Sequence, residues 1–184
     1  MSKSHQKITD FIDLLKKRTI EQIEHTDIKE SCTATLLLIF AGIDSLSKIT
    51  CDDRDYDLLK QKKGNRVRFI DFLNNVMGNK YSTFSGEIYD LRNDLVHTGI
   101  NTKVVLSKNP QDKEHLQEVN GYLWINTQQF LDDFKGTLKQ ISDNIANGDI
   151  FFQNAINRLK EFNMIEVYKQ QDGPSPGPQD EFFQ

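Results

Sequence analysis

The chain is short of the residues that most extracellular and metal-built proteins depend on. It has two cysteines, Cys32 and Cys51. The helical pattern between them spans nineteen residues, which at ~1.5 Å per residue is roughly 28 Å. A disulfide needs Cα atoms within about 7 Å, so one helix cannot pair them. Two thiols without a ligand cluster also give no zinc signature, and reduced thiols fit a cytoplasmic protein. Proline is scarce, and three of the four prolines lie in the last fourteen residues, "QDGPSPGPQDEFFQ". No apolar run is long enough to cross a bilayer: the longest, "ATLLLIFAGI" at 34–43, is about half the needed length. The N-terminus, "MSKSHQKITDFIDLLKKR", is amphipathic and carries acids, unlike a secretory signal. There is no phosphate-binding glycine loop and no serine-nucleophile turn. The net charge of -4 argues against a surface given over to phosphate binding, though a local basic patch remains open.

What is present is apolar spacing of the helical period. The 184 residues are enough for one domain with a real core. Ile8, Phe11, Ile12, Leu15 and Ile23 predict a helix over 6–25. Residues 31–49 are apolar on most faces and predict a central buried helix, interrupted by Asp44. Helices are further predicted at 67–78, ended by Gly78, and at 84–99, ended by Gly99. The latter carries Ile88, Leu91 and Leu95 on its apolar stripe. The period then changes. "TKVVLSK" and "GYLWIN" read as short strands, with "NG" at a turn, so a β-hairpin insertion is expected near 103–125. Asn126 with Gln129 resembles a capping box and opens a helix with Phe130, Leu131, Phe134, Leu138 and Ile141 on one face. A last helix is predicted at about 149–170. The expected class is mainly α, a bundle of five to six helices in one domain over 1–170. The 171–184 tail is read as disordered.

Three features could carry chemistry. The first is "LRNDLVHTG" at 91–99, which ends a helix with Arg92 and His97. Cations suit a helix C-terminus electrostatically, and "RTIEQIEH", from Arg18 to His25, shows that such pairs arise by chance. Arg92 is distinguished by Asn93 and Asp94, which can orient it or the histidine, and by a place off the apolar stripe. Five residues on an ideal helix are ~140° apart, so Arg92 and His97 share a face only if the helix loosens at His97, where Thr98–Gly99 offers a place. The second feature is "KQKKGNRVR" at 60–68. Its five positive charges, Lys60, Lys62, Lys63, Arg66 and Arg68, either hold RNA backbone or form a solvated loop neutralised by "DDRDYD" before it. The third is Asp44, which either supports the Arg92 region or is a polar residue at a helix contact. His5, His25 and His115 read as surface residues.

"RNDLVH" resembles the R-N-x-x-x-H motif of HEPN domains, small helical bundles of which many are metal-independent ribonucleases in toxin–antitoxin, abortive-infection and CRISPR systems. "LLLIFAGIDSLSK" is similar to the central helix of several HEPN families. The resemblance covers roughly residues 6–147. It implies Arg92 and His97 as catalytic residues and Asn93 as the polar residue after the arginine. It also implies a homodimer that joins two motifs, RNA as substrate, an antitoxin or defence-system partner, and neither metal nor cofactor. Gly99 stands where some HEPN toxins carry a tyrosine modified by an antitoxin, so control by that modification is not expected. The hairpin is an addition to the minimal bundle. The rival expectation is a HEPN-like binding or assembly module without catalysis. Neither reading calls for a membrane.

Overall fold

The structure, a computed structural model, describes residues 3–50, 64–101, 103–109, 111–112, 114–146 and 155. The helix predicted at about 149–170, apart from Ala155, and the 171–184 tail lie outside the described residues, as do Lys60, Lys62, Lys63 and Cys51.

Helix α1 (Lys3–Lys16) buries Ile8, Phe11, Ile12 and Leu15, the i, i+3, i+4, i+7 set its sequence shows. It runs through a π-helical turn, Lys17–Glu21, into α2 (Gln22–His25). Leu15, Thr19 and Ile23 are all buried although they are spaced by four. On an ideal α-helix that spacing drifts by ~40° a step. The wider π turn takes up the drift and keeps the three on one line.

Helix α3 (Cys32–Thr50) is the centre of the bundle. It buries residues around much of its girth, among them Leu36, Ile39, Phe40, Ile43 and Leu46. The apolar run read as too short for a bilayer continues as helix on both sides, so that Cys32–Thr50 has the length and mean hydropathy of a membrane span, yet half of that window is buried inside this fold. Helices α4 (Gly64–Asp71), α5 (Ser85–His97) and α6 (Thr127–Ala146) pack against it. Gly42 is required at the α3–α6 contact, because a Cβ there would sit 2.5 Å from Phe134 Cζ. A second π turn, Phe72–Val76, continues α4 and turns Phe72 and Leu73 inward. The many phenylalanines meet edge to face: Phe40 contacts Phe69 and Phe130 with ring centroids 5.9 and 6.0 Å apart.

The expected hairpin is instead a three-stranded sheet of order β1-β3-β2. Strands β1 (Val104–Ser107) and β3 (Tyr122–Asn126) are the two predicted ones, but they pair in parallel. The hairpin partner of β3 is β2 (Gln117–Val119). The "NG" turn lies where the sequence puts it: Asn120 and Gly121 both have positive φ, 54° and 80°, as a tight turn between twisted strands requires. At the end of β3, Asn126 caps α6. Its Oδ1 accepts from the N–H groups of Gln128 and Gln129 at 3.0 and 3.2 Å. In a full capping box Gln129 would return a bond to the Asn126 N–H. Here that N–H donates to His115 Nδ1 at 3.2 Å.

Candidate functional site

Arg92 lies one residue past Leu91, at the edge of the buried stripe of α5, and its side chain is 22% exposed. It reaches α3. Nη2 donates to Asp44 Oδ2 at 2.7 Å and Nε donates to the same oxygen at 3.2 Å. Nη1 donates to Asn93 Oδ1 at 3.0 Å. These bonds use three of the five N–H groups of a guanidinium. Two more are without a hydrogen bond among the described residues. Asp44, Arg92 and Asn93 are thus brought together.

Arg68 belongs to the same cluster, which corrects its reading as a surface contact to RNA. Its side chain is only 5% exposed. Nε donates to Ser47 Oγ at 3.0 Å, and Nη2 lies 4.0 Å from Asp44 Oδ1. The helical period explains the reversal: Arg68 sits beside buried Phe69 on α4, and its charge is met by a polar group on α3. Lys48, one turn beyond Asp44, is a member that the sequence reading passed over. Burial first, and then the Arg68 charge, lower its pKa, while Asp44 opposes this. Its i, i+4 spacing from Asp44 was the available signal.

Of the other basic residues, Arg66 is exposed, 4.0 Å from Asp90 and 5.6 Å from the centroid of the Tyr89 ring. It alone of that stretch is described with its charge at the surface.

His97 is the last residue of α5 and is exposed. The helix stays regular through it and unwinds only beyond, where Thr98 N and Gly99 N both donate to Asp94 O at 2.9 and 3.1 Å and Gly99 takes φ 68°. The expected loosening at His97 is therefore absent. Within one chain Arg92 and His97 remain on different faces, and no hydrogen bond joins them. The Asp94 side chain is exposed and, with Glu87, Asp90, Glu118 and Lys103, helps wall a groove of about 640 Å³ between α5 and the sheet. Four of the five charged residues that line it are acidic. The chance pair, Arg18 in the π turn and His25 at the end of α2, is exposed.

A second cluster escaped the sequence reading. His115, expected at the surface, is 6% exposed with Nε2 3.6 Å from Asp133 Oδ2. Asp133 Oδ2 also accepts from the Tyr81 hydroxyl and from Lys80 Nζ, both at 2.6 Å. Burial alone would raise the Asp133 carboxyl; His115, Lys80 and Tyr81 outweigh that and hold it at about 2. Burial, with the neighbouring Asp133 charge, pushes the Tyr81 hydroxyl well above its usual range. Tyr81 is fully buried, so this cluster offers no route for a substrate to that hydroxyl.

Among the described residues no group of three or more His, Cys, Asp or Glu side chains is placed to hold a metal ion. No family model matches the chain, and neither a curated protein nor a solved structure matches it.

Proposed function

We propose that the chain is a metal-independent endoribonuclease of HEPN type, working in the cytoplasm as a homodimer in a defence or toxin–antitoxin setting. The observation that carries the reading is Arg92: a partly exposed guanidinium fixed on one side by Asp44 and Asn93, with N–H groups open on the other. A fixed guanidinium fits a phosphate in the transition state, because it is aimed before charge develops. RNA carries its own nucleophile. His97 takes the proton of the 2′-hydroxyl, whose oxygen attacks the adjacent phosphorus. The bond to the 5′-oxygen breaks, a 2′,3′-cyclic phosphate forms, and the leaving oxygen takes a proton. Imidazole suits both transfers near neutral pH. One chain supplies one such histidine on a face apart from Arg92, so the second copy completes the site.

The test is cleavage of single-stranded RNA in the presence of EDTA. Products should end in 2′,3′-cyclic phosphate, and a 2′-deoxy substitution at the cut should block it. His97→Ala and Arg92→Ala should each lower the rate ~10²–10⁴-fold, while Arg18→Ala and His25→Ala leave it unchanged. Equal rates in all four variants, or loss of cleavage with EDTA, would reject the reading.

The second reading is a binding or assembly module. It is favoured by the Arg92–Asp44 pair, which by itself ties α5 to α3, and by the acidic groove beside Asn93.

A further inference from the structure

The Asp44 carboxylate is divided between two arginines. Both Arg92 donors go to Oδ2, and Oδ1 faces Arg68 at 4.0 Å. An arginine and a carboxylate left to themselves favour two parallel bonds, one to each oxygen. Arg92 does not have that arrangement, and the residue standing at the other oxygen is Arg68. Arg68 is itself fixed: it is buried, and its Nε donates to Ser47 Oγ, which in turn donates to the Asp44 carbonyl at 3.1 Å. Asp44 and Ser47 are three residues apart on α3, so one helix face carries both the carboxylate and the group that aims its second arginine.

We infer that Arg68 and Ser47 are positioning residues for Arg92: Arg68 holds Oδ1 of Asp44, so that Asp44 meets Arg92 through Oδ2 and sets the direction in which the open Arg92 N–H groups face a phosphate. The inference rests on the ribonuclease reading for what Arg92 does, but the positioning can be measured without any reaction. If Arg68 is withdrawn, Asp44 can turn both oxygens to Arg92. The same two Arg92 N–H groups are then shared between the two oxygens, the guanidinium plane turns with them, and its two open N–H groups leave the direction they have now.

The experiment uses the full chain with 15N-labelled arginine. The Arg92 Nε–H signal is assigned by its loss in Arg92→Ala. Arg68→Lys keeps the charge but drops the Nε bond to Ser47. Ser47→Ala removes only the hydroxyl, and guards against a failure of the buried Arg68 variant to fold. Both variants should shift the Arg92 Nε–H signal and slow its exchange with solvent, and both should weaken binding of a single-stranded DNA oligonucleotide, an uncleavable phosphate chain, several-fold. An Arg92 signal and oligonucleotide affinity identical to wild type in a folded Ser47→Ala protein would overturn the inference, whatever happened to stability. RNA cleavage measured alongside judges the other reading: a wild-type protein that never cuts RNA removes the ribonuclease, while the Arg92 signal still reports on the positioning.

Discussion

Two aspartates on long helices organise the polar interior, and they do so differently. Asp44 on α3 meets Arg92 and Arg68; Asp133 on α6 meets Tyr81, Lys80 and His115. Both are partly buried to a similar degree, 20% and 24% exposed. The difference lies in their partners. Around Asp133 the largest partner, Tyr81, is wholly inside, His115 is buried, and only the flexible Lys80 reaches water. Around Asp44 one partner is buried and the other reaches the surface with N–H groups to spare. A closed cluster holds elements together, here the turn before α5, the sheet and α6. A cluster with an open donor can also meet something from outside. Burial alone does not separate the two; the exposed partner does, a planar guanidinium held by three hydrogen bonds at Asp44 and a flexible lysine held by one contact at Asp133.

That contrast predicts a crossing of effects. Asp133→Ala strands the Tyr81 hydroxyl without its acceptor in the core and should cost about 3 kcal/mol of stability. Arg92→Ala leaves Asp44 with Arg68 and should cost about 1 kcal/mol. For a chain of this size the difference corresponds to roughly 4–8 °C in melting temperature. RNA cleavage should run the other way, lost in Arg92→Ala and retained in Asp133→Ala at a temperature where that variant is folded. Denaturant titration and a cleavage assay on the same preparations read both. Equal stability losses would make Arg92 a second structural tie and favour the binding module.

The same comparison explains how far the sequence could be read. The apolar stripes of α1, α5 and α6 were legible because each repeats at the helical period over three or more turns. The Asn126 cap and the Asn120–Gly121 turn were legible because few residue types serve there. Strand β2 was not: Gln117, Glu118 and Val119 are three mostly exposed residues with no alternation to see. Parallel pairing of β1 with β3 is likewise a property of the connection, not of either strand. Arg92 and Asn93 stood out by motif, and Asp44 by being an acid in an apolar helix. Arg68 was misplaced because charge in a row suggests a surface, while the helix hides one member in four. His115 was misplaced because its partner, Asp133, lies eighteen positions away, on a helix whose register against the sheet only the fold decides.

Acid should separate the clusters next. The Asp133 carboxyl lies at about 2 in the folded chain, against an ordinary 3.8. A depressed carboxyl stabilises the folded form above its unfolded value, and that contribution is lost as pH falls through the folded one. Stability should therefore decline between about pH 4 and pH 2 by about 2 kcal/mol, and this decline should be missing in Asp133→Asn. At the alkaline end the raised Tyr81 hydroxyl works in the opposite sense. Its contribution is complete below its ordinary value of 10.0 and falls away as pH rises above it. Tyr81→Phe should remove that alkaline loss. Denaturation midpoints across pH for the three proteins check both limbs, and an acid limb unchanged in Asp133→Asn would show that other carboxylates carry it.

The smallest effect is expected where the closed cluster meets water. Lys80 donates to Asp133 at 2.6 Å, yet its side chain is 52% exposed, and its ammonium also lies 5.6 Å from the centroid of the Tyr81 ring. An exposed lysine gains little from one ion pair, because water screens the charge and a long flexible chain must be held still. Lys80→Met keeps most of the stem against the ring and leaves Tyr81 and His115 to hold the carboxylate. It should cost about 0.5 kcal/mol at low salt and less at 1 M salt, where screening acts within ~3 Å. Asp133→Ala should keep most of its cost under the same salt, since the Tyr81 bond lies in the interior. If salt removed the two costs equally, Asp133 would be working as a surface charge, and the distinction drawn between its cluster and that of Asp44 would fail.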